Sequence, residues 1–118
     1  MDYEIEQEVI MMNKVVKLIA AVNEISDKLP ENDIHQLKKR LRLCISEMPV
    51  NIKERKFKTR KIDKIRCFIK VSGSIEECRD YLCFIELLRY CRTRELIRQC
   101  DEINRMIIEE NIPYTSSN

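Results

Sequence analysis

The residues with the clearest chemical potential form a basic run near the middle of the chain, opposed only by Glu54 and Asp63. Clustered Lys and Arg side chains bind phosphates through counterion release, an attraction that depends on salt and not on base sequence. Phe57 lies inside the run and offers a ring for stacking on a base. The run predicts contacts to an RNA or DNA backbone by eight residues: Lys53, Arg55, Lys56, Lys58, Arg60, Lys61, Lys64 and Arg66.

A second basic group, Lys38, Lys39 and Arg42, precedes this run and is a further candidate for nucleic-acid contacts. In an antiparallel bundle it would lie at the opposite end from the run, so the two groups need not form one patch. Residues 28–70 carry 14 Lys and Arg against 5 Asp and Glu, and the rest of the chain carries 8 against 15.

Two other interpretations of the basic run stay open. A charge run at a helix connector can simply be a solvated surface. The basic middle can also contact the acidic ends of the chain, within one subunit or between subunits. Those ends carry Asp2, Glu4, Glu6, Glu8, Glu109 and Glu110.

The other reactive residue types give no catalytic or metal-binding pattern. His35 is the single His and has no catalytic partner in the sequence, which predicts a surface or capping role. Glu76, Glu77 and Asp80 lack the Glu-x-x-His pairs of di-iron bundles, and we predict that they pair with Arg79 or nearby bases. We therefore expect no enzyme activity, no metal and no cofactor.

The cysteines contain no Cys-x-x-Cys pair, and with one His a four-ligand zinc site has little support. Most lie on or beside apolar helical positions, which predicts small, reduced core residues. A set of disulfides in an exported protein is the alternative. The residues concerned are Cys44, Cys67, Cys78, Cys83, Cys91 and Cys100.

Composition favours a single all-α domain spanning residues 1–118, with 113–118 as a flexible tail. The chain has 1 Gly and 3 Pro, too few turn residues for many short strands, and 36% charged residues, which suits amphipathic helices. No stretch approaches the roughly 20 apolar residues that cross a bilayer, and the acidic start is unlike a signal peptide. We expect a cytoplasmic protein.

Apolar spacing predicts four helices in an up-down-up-down antiparallel bundle. The first, from about Tyr3 to Lys28, carries two neighbouring apolar stripes and should therefore pack against two partners or another subunit. One stripe consists of Ile5, Val9, Met12, Val16 and Ile19. The other consists of Val15, Leu18, Val22, Ile25 and Leu29.

Five polar or irregular positions carry structural predictions. Pro49 should kink the second helix, and Asn51 beside it should bond the backbone carbonyl that Pro leaves unpaired. Gly73, inside the third helix, suggests a close helix crossing. Asn32 or Asp33 is expected to cap the second helix. Thr93 is expected to cap the fourth.

The second and third helices resemble the four-helix-bundle proteins encoded in 23S ribosomal RNA intervening sequences, over about Val15 to Ile107. That family has a Leu-Arg pair, a Pro-x-Asn-Ile segment and a Gly-Ser followed by an aliphatic residue and a nearby Glu. The matching residues here are Leu41 and Arg42; Pro49, Asn51 and Ile52; and Gly73, Ser74, Ile75 and Glu77.

The chain departs from the family at four points, one of which is that the aromatic-rich opening of the family's first helix is missing. Lys53-Glu54-Arg55 replaces the usual Ala-Glu-Gly, Glu47 replaces a Ser, and Arg89 replaces a Gly before Tyr90. The resemblance implies an antiparallel bundle, a ring-shaped homo-oligomer, often a pentamer, and a role in binding RNA. Related bundles act as accessory proteins of retroelement reverse transcriptases.

These observations give two expectations for function. The first is a non-enzymatic homo-oligomeric bundle that contacts RNA or DNA backbone through the basic surface around residues 53–66. The alternative is a protein-interaction module, an accessory to a nucleic-acid enzyme such as a retroelement reverse transcriptase. Neither expectation involves a membrane.

Overall fold

The computed structural model describes residues 3–115, and its regular elements are four helices. Helix α1 spans Tyr3–Asp27, α2 spans Leu37–Arg55, α3 spans Lys61–Leu87 and α4 spans Arg94–Thr115. The described residues contain no strand. The molecule is an elongated body of 48 × 25 × 21 Å. The predicted all-α fold is confirmed.

Contacts at both ends of α1 and α2 show that these helices run in opposite directions. Arg42, near the start of α2, pairs with Asp27 at the end of α1 across 3.3 Å. Arg55, at the end of α2, pairs with Glu8 near the start of α1 across 2.6 Å. The same antiparallel register joins α2 to α3, because the ring of His35 meets that of Phe84.

Helices α3 and α4 are also antiparallel, and α4 closes the bundle against α1. Arg79 of α3 pairs with Asp101 of α4, and Lys14 of α1 pairs with Glu102 of α4. Each helix packs against its neighbours in sequence, α1 packs against α4, and the diagonal pairs α1–α3 and α2–α4 make no close backbone approach. The structure is the four-helix bundle that the sequence predicted.

The two apolar stripes of α1 have different environments. Val15, Leu18 and Val22 are fully buried in the bundle core. In the other stripe, Met12 and Ile19 are half-buried against the core, whereas Val9 is 48% exposed and Val16 is 53% exposed. Within one chain, therefore, the bundle core buries one apolar stripe of α1 and leaves much of the other exposed.

Three cysteines from different helices meet in the middle of the core. Cys44 of α2, Cys78 of α3 and Cys100 of α4 are all buried, and Cys67 is buried elsewhere. Hydrogen bonding to Cys100 and Cys44, together with burial, raises the pKa of the Cys78 thiol. The thiol therefore stays protonated and packs as a small, weakly polar group. The predicted core position is confirmed for these four residues, whereas Cys83 and Cys91 are half-buried.

Helix α2 continues through Pro49, as its apolar spacing predicted. A proline in a helix leaves the carbonyl four residues earlier without its amide donor, and here that carbonyl belongs to Ile45. The Asn51 side chain, however, donates to the carbonyl of Glu47 at 3.0 Å. Asn51 thus bonds a backbone carbonyl of its own helix, but the acceptor is not the one expected.

Gly73 does not mark a close helix crossing. It is exposed on α3, and a Cβ added there would have nothing within 4 Å. The prediction of a crossing is wrong, because the neighbouring helices leave this position open. Nothing within the described chain requires a glycine at residue 73.

Asp33 bonds the first turn of α2 as predicted, although it does not occupy the cap position, whereas Thr93 acts differently from the expectation. The left-handed residue Gln36 occupies the cap position of α2, while Asp33 accepts a hydrogen bond from the amide of Lys38 at 2.8 Å. Thr93 directly precedes α4, but its hydroxyl donates to the carbonyl of Leu82 at 2.7 Å. Thr93 thus anchors the start of α4 to α3 and does not cap α4 with its side chain.

The end of α3 uses a residue that is unfavourable for its backbone conformation. The amide of Arg89 bonds the carbonyl of Glu86, and that of Tyr90 bonds the carbonyl of Ile85. This pair of bonds defines a Schellman motif, in which the residue after the helix adopts a left-handed conformation and is usually glycine. Arg89 has a φ of 60° and is therefore strained.

Helix α1 begins and ends within one residue of its predicted limits, whereas the predicted tail differs from the structure. Helix α4 extends to Thr115 and includes Pro113, so residues 113–115 are helical rather than part of a tail. The rest of the predicted tail, 116–118, lies outside the described residues. Among the residues described, no helix is long and apolar enough to cross a membrane.

Replacing Arg89 by glycine should stabilise the protein. Relief of the left-handed strain outweighs the extra freedom of glycine in the unfolded chain, which gives a gain of roughly 0.5 to 1 kcal/mol. The measurement is the urea midpoint at unchanged slope. Arg92→Gly is the matched control, because Arg92 is exposed but has no positive φ. A midpoint for Arg89→Gly at or below that of the parent would contradict the strain.

Candidate nucleic-acid interface

The basic run surrounds the short connector between α2 and α3. Helix α2 ends at Arg55 and α3 begins at Lys61, so the connector comprises residues 56–60. The amides of Lys56, Phe57 and Lys58 donate to backbone carbonyls three residues earlier, at 3.0 to 3.2 Å. These bonds continue α2 as a tighter turn. The connector is thus held by its own backbone.

Seven of the eight cations predicted in the run are brought together around this connector, and we call them the connector cluster. Six have exposed side chains and Lys64 is half-buried. Glu54 is the exposed acid within the run. The connector cluster consists of Lys53, Lys56, Lys58, Arg60, Lys61, Lys64 and Arg66.

Asp63 is the second acid of the run, and it is already engaged. The guanidinium of Arg60 donates to both carboxylate oxygens of Asp63, at 2.9 and 3.3 Å, and Arg66 lies 3.6 Å away. The hydrogen bond from Arg60, with added attraction from Arg60, Arg66 and Lys58, lowers the pKa of Asp63. Asp63 therefore stays ionised near neutral pH and holds two arginines at the start of α3.

Arg55, the eighth predicted residue, does not belong to the surface. It is only 5% exposed, it pairs with Glu8 across 2.6 Å, and its guanidinium lies 4.4 Å from the centroid of the Phe68 ring. A buried charge needs a partner, since its removal from water otherwise costs about 3 kcal/mol or more. Arg55 is therefore a structural residue beneath the connector, which corrects its prediction as a nucleic-acid contact.

The sequence held a signal for this burial that the charge pattern obscured. Arg55 continues the core spacing of α2 through Met48 and Ile52, at steps of four and three residues. Glu8 stands in the same way three residues before the core residue Met11. Two opposite charges in core phase, on helices that meet antiparallel, predict a buried pair.

The smaller basic group lies at the other end of the bundle. Lys39 and Lys53 are separated by 14 residues of α2, or about 21 Å at 1.5 Å per residue. Arg42 is paired with Asp27, and Lys38 is half-buried. The structure therefore does not join Lys38, Lys39 and Arg42 to the connector cluster.

The acidic ends of the chain lie at the same end of the bundle as the connector. This follows from the antiparallel order, which places the start of α1 and the end of α4 beside the end of α2 and the start of α3. Glu6 and Glu109 are exposed there, and Glu8 is the acid that pairs with Arg55. Asp2 and the side chains of Glu4 and Glu110 lie outside the described part of the structure.

The remaining candidates show local structural contacts. His35 is exposed, and its ring lies edge-on to Phe84 at 5.0 Å. Glu77 accepts a hydrogen bond from Tyr81, and Arg79 pairs with Asp101 instead of the acids beside it in sequence. Within residues 3–115, no three His, Cys, Asp or Glu side chains are grouped so that they could hold a metal ion.

Residues from two of the three family motifs, which are separate in sequence, line one groove between α2 and α3. The groove has a volume of about 790 Å³ and includes Asn51, Gly73, Ser74 and Glu77 among its lining residues. It lies along the side of the bundle, and its lining residues come from 46–51 of α2 and 70–77 of α3. These residues thus mark a surface separate from the members of the connector cluster.

The fold and this interface define a class of protein, an antiparallel four-helix bundle with cations gathered at one connector. The model of a family described as the 23S rRNA-intervening sequence protein matches residues 7–109. The chain belongs to this family, and the resemblance seen in its second and third helices is confirmed. Comparisons with the curated proteins and with the solved structures gave no significant match.

Loss of Arg55 should destabilise the protein far more than loss of a neighbouring cation. Arg55→Ala leaves Glu8 buried without its partner and should lower the free energy of unfolding by about 3 to 5 kcal/mol. Lys53→Ala, at an exposed site on the same helix, should change it by less than about 0.5 kcal/mol. Both effects are measured by urea unfolding.

A double replacement separates the pair from simple loss of packing. Glu8→Leu combined with Arg55→Met removes both charges and keeps apolar volume, so it should recover most of the stability lost in Arg55→Ala. If Arg55→Ala and Lys53→Ala unfold at the same urea concentration, the pair makes no structural contribution.

Proposed function

We propose that this protein is a non-enzymatic helical bundle that binds the backbone of RNA or DNA through the connector cluster. The observation that supports the proposal is that seven cations lie on or beside a five-residue connector. Asp63, an acid among them, is paired with Arg60 and Arg66. Such a surface attracts phosphates by releasing counterions. Binding of this kind is micromolar, depends steeply on salt and has little sequence preference.

The opposing acids give the proposed interface a direction. Exposed Glu6 on α1 and Glu109 on α4 lie at the same end of the bundle, on the other pair of helices. These carboxylates repel the phosphates of a nucleic acid, so the strand should cross the α2–α3 side and avoid the α1–α4 side. This arrangement restricts the contact to a few phosphates at one edge.

Removal of cations at the connector should reduce both affinity and salt dependence. Replacing Lys56, Lys58, Arg60 and Lys61 by Ala should make the negative slope of log K against log salt shallower by about 3 to 4. Each phosphate contact contributes about 0.7 to 0.9 to the magnitude of this slope. Fluorescence anisotropy with labelled RNA and DNA, from low to moderate salt, measures both quantities.

The far end of the bundle provides a control with four charges removed. Replacing Lys38, Lys39, Arg40 and Arg42 by Ala changes the net charge equally at exposed or half-buried positions. This variant should keep most of the parent's slope. Equal losses in the two variants would show nonspecific attraction by the whole protein, and no binding at low salt would refute the proposed function.

Self-association is the second part of the proposal, and the exposed stripe of α1 supports it. Ile5, Val9 and Val16 present about half of their side-chain surface to water on one face of a helix. Contiguous apolar surface of this kind marks an interaction site. A ring of identical subunits, the pentamer implied by the resemblance, would cover the stripe and repeat the connector cluster around the assembly.

The mass of the native protein, measured by light scattering, tests this assembly. The parent should have a multiple of the 14.2 kDa chain mass, and Val9→Asp with Val16→Asp should reduce it to one chain. Leu87→Asp is the control, because Leu87 is an exposed apolar residue on α3. A monomeric parent, with and without RNA, would refute assembly.

The same stripe favours a second candidate function, a protein-interaction module that serves a nucleic-acid enzyme such as a reverse transcriptase. In that case α1 would bind a different protein. A specific partner that remains bound after nuclease treatment and in high salt, and is lost with the two Asp replacements, would support this candidate.

A further inference from the structure

Phe57 is the large hydrophobic side chain with the greatest exposure in the described structure, at 83%. The other two phenylalanines pack, since Phe68 is buried and Phe84 lies against His35. Burying a phenylalanine stabilises a protein by about 1.5 to 3 kcal/mol, so an exposed ring gives up this stabilisation. The fold of the single chain therefore gives no reason for an aromatic residue at this position.

The position of Phe57 is nevertheless well defined. Its amide donates to the carbonyl of Glu54 at 3.0 Å, within the tight turn that continues α2. Two residues earlier in sequence, Arg55 is anchored in the core by Glu8 and covers the ring of Phe68. The backbone thus holds Phe57 at the tip of the bundle.

Cations surround this ring along the chain. Lys56 and Lys58 are its immediate neighbours in sequence, and Arg60 is the third basic residue of the exposed connector. In the described residues, the cation that lies over an aromatic ring is Arg55 on Phe68, and no corresponding contact involves Phe57. The face of the Phe57 ring remains available for a flat partner.

This arrangement discriminates between two forms of nucleic acid. A duplex offers phosphates to the lysines, but its bases are stacked inside, so Phe57 would gain little from it. A single strand offers phosphates and unstacked bases together, and aromatic rings among cations are the usual means of binding it. The same lysines therefore serve both forms, whereas the ring serves only one.

We propose that the connector end prefers single-stranded nucleic acid to duplex, with Phe57 stacking on one base while Lys56, Lys58 and Arg60 contact the flanking phosphates. This inference rests on the proposed function and adds the class of ligand. Phe57 is then the residue that determines specificity, and the cations provide the general attraction.

The test compares a labelled 20-nucleotide oligo(U) or oligo(dT) with a duplex of equal length, at one salt concentration, by fluorescence anisotropy. Phe57→Ala and Phe57→Leu should weaken single-strand binding by roughly tenfold, within a range of about 5- to 150-fold, because stacking contributes 1 to 3 kcal/mol per base. Duplex binding should be unchanged. Phe57→Tyr should keep the preference of the parent.

Phe57→Trp gives a direct measure of stacking. The chain has no tryptophan, so this replacement introduces a single fluorescent reporter at an exposed site. Its emission should be quenched on addition of the single strand and should change little with duplex at equal occupancy. Circular dichroism of each variant checks that the helices are intact.

The outcomes separate this inference from the proposed function. A parent that prefers duplex, a Phe57→Ala variant that loses affinity equally for both forms, or no loss for either form would overturn the single-strand preference. The proposed function would survive each of these results if the four-alanine connector variant still loses binding and salt dependence. If that variant binds as the parent does, both ideas fail.

Discussion

The buried ion pair between Arg55 and Glu8 holds together the end of the bundle that carries the connector cluster. It joins the end of α2 to the start of α1, and the guanidinium also covers Phe68 of α3. Three helices therefore meet at one buried charge, which pairs with the carboxylate of Glu8. Because Arg55 is the last residue of α2, this contact also holds the end of the helix from which the connector starts.

Burial of one cation and exposure of its neighbours divide the basic run by role. Arg55 lies in the core phase of the helix, whereas Lys53 and Lys56 project from other faces. Asp63 makes a second division, since it engages Arg60 and Arg66 at the start of α3. A run that is mostly basic thus contains a buried anchor, a pair of arginines held by one carboxylate and a set of lysines.

The sequence predicted the number of helices and the approximate limits of the first, because apolar residues recur with helical spacing. The division of the two α1 stripes was not predictable in this way, since both have the same period and only the packed bundle decides which is covered. Arg55 and Thr93 were misassigned for a related reason: their partners, Glu8 and the carbonyl of Leu82, are distant in sequence. The prediction for Gly73 was wrong because the sequence shows only the local cost of a glycine inside a helix. The open space around it depends on how the neighbouring helices pack.

The absence of close approach between diagonal helices has a consequence for the order in which the described chain folds. Pairs α1–α2, α2–α3 and α3–α4 are each joined by a short loop, so they can form as local hairpins at a small entropic cost. The α1–α4 contact joins residues as far apart as Lys14 and Glu102 and closes nearly the whole chain into a loop. This seam should therefore form last and open first, and local opening would expose the buried stripe of α1 before the α2–α3 hairpin that carries the connector is disturbed.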